Sequence, residues 1–134
     1  MSFRTMLFEG MTIKNIIINM DDSVEIQIDN AVIIKNMDDA VDDTKWQGYG
    51  NLIIEDTVIT DEDSLPDFPA TVASADIKDN QMTYRNESLI PIDCHGNVGI
   101  TIQFEGQSSK HRFIGERMHF DVAEHEKYIE HVKN

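Results

Sequence analysis

Apolar residues in this chain recur at every second position, and short intervals of Asp, Asn and Gly break the runs. Successive side chains of a strand point to opposite faces, so a period of two marks strands with one buried and one wet face. Val24, Ile26 and Ile28 alternate with Glu25, Gln27 and Asp29, and Val98, Ile100, Ile102 and Phe104 alternate with Gly99, Thr101 and Gln103. No segment carries an amphipathic stripe of helical length. The pattern predicts an all-β fold, or a β-rich α+β fold, in which an antiparallel meander forms a sandwich or a partly open barrel.

The order of segments follows from the same pattern. Ile13 to Ile18 is an apolar, β-branched run, and Asp21-Asp22 marks a turn before the strand at Val24. Asp29-Asn30 is a second expected turn, with a third strand over Ala31 to Lys35. Residues 36–47 form a long acidic connection with few strand formers, which allows a helical turn around Ala40. Tyr49 to Ile59 returns to strand, with Gly48 and Gly50 permitting a bend or bulge. Pro66 and Pro69 exclude an interior strand from the second acidic connection, Asp61 to Pro69. Ala70–Ile77 and Gln81–Ile92 flank a turn at Asp79-Asn80, and Asp93 to Asn97 supplies the next turn. Gly106 to Ser109 turns the chain into Phe113 to Val122, where Met118, Phe120 and Val122 are expected inward, and the tail from Lys127 to Val132 alternates once more.

At 134 residues the chain reads as one domain over 1–134, able to bury a real core without a disulfide or a metal. The first eleven residues are expected to be loosely held, and Met1, Met6 and Met11 are alternative starts. A single cysteine, Cys94, rules out an intrachain disulfide and fits a reducing compartment. There is no secretory apolar stretch and no run approaching the ~20 residues of a spanning helix, so a soluble, cytoplasmic protein is expected.

Charge bears on partners. The net charge is −14, and it is unevenly spread: residues 1–67 hold 15 Asp+Glu against 4 Lys+Arg, residues 68–134 hold 10 against 7. Much of the excess lies in Asp38-Asp39-x-x-Asp42-Asp43 and Asp61-Glu62-Asp63. Such a balance argues against nucleic acid and against an anionic membrane as partners, and favours a basic protein or a cation. Asp38, Asp39, Asp42, Asp43, Asp61, Glu62 and Asp63 could imitate a phosphate backbone and occupy the groove of a nucleic-acid-binding protein, or they could be solvated loops that keep the chain in solution. A dedicated calcium site is not expected, because the spaced acidic loop of an EF-hand is absent.

Trp46 and Tyr49 stand beside the first acidic run. They read either as aromatic anchors of a protein interface or, for Trp46, as the closure of one end of the core. His95, His111, His119, His125 and His131 show no zinc spacing and read as surface residues. The neighbours Cys94 and His95 point to opposite faces of an extended segment and are not expected to form a catalytic pair. There is no nucleophile elbow, Walker loop or dinucleotide fingerprint, so no catalytic residue, cofactor or metal is assigned and the chain is not read as an enzyme. A triad assembled from distant residues leaves a motif-free hydrolase as a third reading.

The size, the charge, the Trp46-x-Gly48-x-Gly50-x-Leu52 segment, the meander Ile90-Pro91-Ile92…Gly96…Ile100-x-Ile102-x-Phe104 and the closing Lys127-Tyr128-Ile129-Glu130-His131 together resemble the small acidic β-rich immunity proteins of bacterial toxin–immunity systems, including contact-dependent growth inhibition. The resemblance implies a cytoplasmic antidote that binds one cognate basic toxin domain, a nuclease in many such systems, and blocks its active site or substrate surface. No residue role is carried over from it. The alternative is a β-barrel or sandwich that encloses a small molecule. Exposed strand edges also permit a homodimer, which the net charge opposes.

Overall fold

The computed structural model describes residues 3–36, 43–60, 65–120 and 127–132. Among these residues there are eleven strands and no helix. They are β1 (Phe3–Leu7), β2 (Thr12–Ile18), β3 (Val24–Asn36), β4 (Asp43–Glu55), β5 (Val58–Thr60), β6 (Ala70–Asp79), β7 (Met82–Arg85), β8 (Glu87–Ile90), β9 (Ile92–Phe104), β10 (His111–Phe120) and β11 (Lys127–Val132).

All pairings are antiparallel, and β2, β3, β4, β10, β9 and β6 form a ring that returns from β6 to β2. The fold is therefore a closed six-stranded barrel, which leaves those six strands without a free edge in the ring. The remaining strands lie outside it. β1 pairs with the second half of β3 and carries β8 on its other side, β11 pairs with the start of β4, β5 continues along β10, and β7 forms a hairpin with β6.

The interior is filled by one face of each barrel strand: Ile13 from β2, Val24, Ile26 and Ile28 from β3, Leu52 and Ile54 from β4, Val72, Ala75 and Ile77 from β6, Val98 to Phe104 on alternate positions of β9, and Phe113 and Met118 from β10, all buried. Each of the Val, Leu, Ile, Phe and Met side chains contributes about 1.5–3 kcal/mol through loss of contact with water. Met6, Phe8 and Met11 join the same core, so the segment that the sequence leaves as loosely held carries β1 and three buried side chains.

Two expected turns are irregularities inside long strands. Asp29-Asn30 does not end a strand: β3 runs through it, with a register shift between Ile28 and Ala31 against β4 and Asn30 at φ 53°. One residue of β4, Tyr49, faces this bulge, so the irregularity belongs to β3 and not to Gly48 or Gly50. Asp93 to Asn97 likewise lies within β9, where pairing with β10 shifts between His95↔Arg117 and Val98↔Gly115. Turn-forming residues tolerate left-handed backbone as readily in a bulge as in a turn, and only the pairing partner distinguishes the two.

Other boundaries move for the same reason. The acidic connection is shorter than expected, because β3 extends to Asn36 and β4 already begins at Asp43, paired to β11 at Val132. The run from Tyr49 to Ile59 breaks at Asp56, φ 54°, and the run from Gln81 to Ile92 breaks at Asn86, φ 60°, and Pro91. The expected turn at Asp79-Asn80 is present as the two-residue loop of the β6–β7 hairpin, Asp79 pairing with Met82. Met118 and Phe120 are buried as expected, while Val122 and the proposed helical turn at Ala40 lie outside the described residues.

Candidate functional site

Of the nine residues singled out as a partner-binding surface, Asp38, Asp39, Asp42, Asp61, Glu62 and Asp63 lie outside the described residues, and Asp43 enters through its backbone as the first residue of β4. Trp46 and Tyr49 are both on β4. They do not make one aromatic cluster, because three positions along a strand separate opposite faces. Trp46 shares the inward parity of Leu52 and Ile54 and packs against the core partly buried. Its indole N–H donates to the Thr44 hydroxyl at 2.8 Å, and the Lys35 ammonium stands 4.1 Å from its ring centroid. Of its two readings, core closure describes Trp46, with one ring face given to a cation.

Tyr49 points outward and is 45 % exposed. It faces the β3 bulge, beside a depression of ≈ 380 Å³ lined by Lys14, Gln27, Asp29, Asn51 and the backbone around Gly50. The depression lies beside the bulge, where Asp29 and Asn30 of β3 stand opposite the single residue Tyr49 of β4. The wall around it is rich in amides and carboxylates held to one another. Asn51 Nδ2 donates to Glu25 Oε1 at 3.2 Å, Gln27 Nε2 to Glu25 Oε2 at 3.4 Å, and the Gln47 amide to Asn30 Oδ1. All of these residues come from β2, β3 and β4, the strands contributed by the acidic half of the sequence. Tyr49, named from the sequence as an interface aromatic beside the first acidic run, is exposed. The bulge opposite it was read as a turn, so its partners Lys14, Gln27, Asp29 and Asn51 were missed.

A second polar group gathers where β9 and β10 meet the end of β4. Arg117 Nε lies 3.8 Å from both Glu55 Oε2 and Asp93 Oδ1, and His95 Nε2 lies 3.3 Å from Asp93 Oδ1. All are well exposed, and such pairs contribute little to stability. Cys94 is half-buried and free. Burial first, then the Asp79 carboxylate to which it donates, and the charge of Asp93, push its thiol up to about 11. A thiol held in its protonated form is a poor nucleophile, and His95 is engaged by Asp93. His111 corrects the reading of the histidines as surface residues. It is fully buried, lies tilted against the Phe104 ring at 5.7 Å between centroids and sets Nε2 3.0 Å from Gln107 Oε1. Among the described residues no three His, Cys, Asp or Glu are placed to hold a metal ion, and no helix is long and apolar enough to cross a membrane.

Compared with protein-family models, curated proteins and solved structures, the chain matches none.

Proposed function

We propose that this chain is an immunity-type inhibitor that binds a cognate basic toxin domain, a nuclease, in the cytoplasm and blocks its substrate surface. The observation that carries the reading is Tyr49, an exposed aromatic set in a polar depression on the barrel wall built from the half of the chain that holds 15 Asp+Glu against 4 Lys+Arg. An aromatic ring beside carboxylates supplies an anchor, and the surrounding negative charge steers a basic partner toward it. A barrel interior packed with side chains from all six strands favours recognition by the outer face over enclosure of a small ligand.

The test is capture of partners from the lysate of the source cell, washed at low and at high salt, followed by assay of the bound protein. A single basic partner whose nuclease activity this chain suppresses, with affinity falling as salt rises, is the expected result. A bound partner of acidic character, or suppression that is independent of salt, would overturn the electrostatic reading.

A further inference from the structure

The barrel wall opposite Tyr49 has the reverse charge. In the ring β9 stands directly across from β3, and β6 and β10 flank it. Outward positions of these strands fall into two cross-strand rows. One runs Arg85, Asp76, Thr101, Arg112, and the next runs Thr83, Lys78, Gly99, Ile114. Lys110 stands at the edge of the same depression, which measures ≈ 360 Å³. Among the described residues that line the depression, Lys78, Lys110 and Arg112 stand with one carboxylate, Asp76, whose register neighbour is a fourth cation, Arg85.

Three features make this face a site and not a scatter of surface charge. First, among the described residues none of Lys78, Arg85, Lys110 and Arg112 forms an ion pair with a carboxylate. Second, the centre of the face is bare. Gly99 occupies the outward position between Lys78 and Ile114, and a Cβ there would meet the Phe113 carbonyl oxygen at 2.3 Å, so position 99 adds no side chain to the depression. Third, the hydroxyls of Thr83 and Thr101 lie among the cations and add neutral donors.

We propose that the β6–β9–β10 face binds a small ligand carrying a phosphate-type oxyanion, with Arg112 and Lys78 as its principal partners and Lys110 closing one side. Guanidinium and ammonium groups flanked by hydroxyls match the several acceptor oxygens of such an anion. The depression falls within the ~300–1,000 Å³ typical of small-ligand sites. The net charge of −14 selects against a long polyanion, which would have to approach acidic surface beyond this patch, and leaves a compact anion as the occupant. The site is independent of the inhibitor reading, since a basic partner is repelled from this wall.

The experiment is a titration of the amide ¹H–¹⁵N spectrum with inorganic pyrophosphate, ionic strength held constant with NaCl, and repeated with orthophosphate and with a nucleoside diphosphate. Saturable shifts centred on Gly99, Thr101 and Lys78 are expected. The double variant Lys78→Gln, Arg112→Gln should lower the affinity at least about tenfold, because each removes a charge-assisted bond. Arg117→Gln, a cation on the same strand β10 outside the face, should leave it unchanged. Tighter binding of the nucleotide than of pyrophosphate would identify an organic phosphate, and equal binding the bare anion. Shifts that never saturate, or affinity unaltered in the double variant with its spectrum otherwise native, would overturn the site.

Discussion

The Asn80 carboxamide closes around Gly96. Its Oδ1 accepts the Asn97 N–H at 3.0 Å and its Nδ2 donates to the His95 carbonyl at 2.8 Å, while the Asn80 N–H reaches the Asn97 carbonyl at 2.9 Å. The β6–β7 hairpin is thereby fastened to the bulge of β9. Asn80 itself adopts φ 56°, which Asn tolerates better than most residues.

Replacing Asn80 by Ala removes both side-chain bonds to β9, the bond its Nδ2 donates to Asp79 Oδ1 at 3.0 Å, and the residue suited to that backbone. A loss of about 1–3 kcal/mol is expected from urea unfolding. Gly96→Ala should cost a similar amount. Its Cβ would lie 2.4 Å from Asn80 Oδ1, and its φ of 109° is strained for any L side chain. Since both changes break the same clasp, the double variant should lose less than the sum. Additive losses would show that the two residues act separately.

Gly99 and Gly115 mark close backbone approaches at the β9–β10–β4 junction. A Cβ at Gly115 would stand 2.3 Å from the Glu55 carbonyl oxygen and 2.7 Å from Ile54 Cγ2, and at Gly99 the 2.3 Å contact is again with a carbonyl. Backbone oxygens cannot rotate away as side chains do, so ladder hydrogen bonds must yield. Gly99→Ala and Gly115→Ala are each expected to lower stability by about 2–4 kcal/mol. Ser108→Ala, in an exposed turn, should stay within about 0.5 kcal/mol of the parent. Thermal unfolding of the three variants decides.

The opposite faces of Trp46 and Tyr49 separate stability from recognition. Trp46→Ala removes a partly buried ring, the bond to Thr44 and the Lys35 contact, and should cost about 3 kcal/mol of folding stability. Tyr49→Ala should leave stability within about 1 kcal/mol and, on the inhibitor reading, weaken partner binding by at least about 2 kcal/mol. Urea unfolding followed by far-ultraviolet circular dichroism measures the first, since Trp46→Ala removes the chain's single tryptophan. Titration of the captured partner measures the second, and undiminished affinity in Tyr49→Ala would remove this wall from the interface.

Much of the barrel was legible because its core residues keep strict alternation. Val24-Ile26-Ile28 and Val98-Ile100-Ile102-Phe104 could bury one face only as strands, and they do. What alternation does not reveal is which strand lies beside which. Asn30 and Gly96 have the chemistry of turns, and only the partner strand opposite each makes it a bulge inside a thirteen-residue strand. His111 was misread because a lone His carries no periodic signal, whereas its place at the inward parity of Phe113 on β10 decides its burial. The cationic wall escaped for a related reason. Lys78, Arg85 and Arg112 are far apart in sequence and meet only through the register of β7, β6, β9 and β10.

Cys94 yields a prediction in the alkaline range. Its thiol stands at about 11 against an ordinary 9.0, raised first by burial and then by Asp79. The folded chain therefore holds this proton more tightly than the unfolded chain. The sign follows: the stabilisation is fully present below pH 9 and is lost as pH rises through 11. Alkylation should show the same shift. At pH 8 the thiolate fraction of the folded protein is about a hundredfold below that of the unfolded chain, and the rate with iodoacetamide should fall in proportion. Asp79→Asn removes the largest charge acting on the thiol and should bring its titration back toward 9.0, with faster alkylation at pH 8. Absorbance of the thiolate as a function of pH reads both proteins. Coincident curves for the parent and Asp79→Asn would show that burial alone sets the shift.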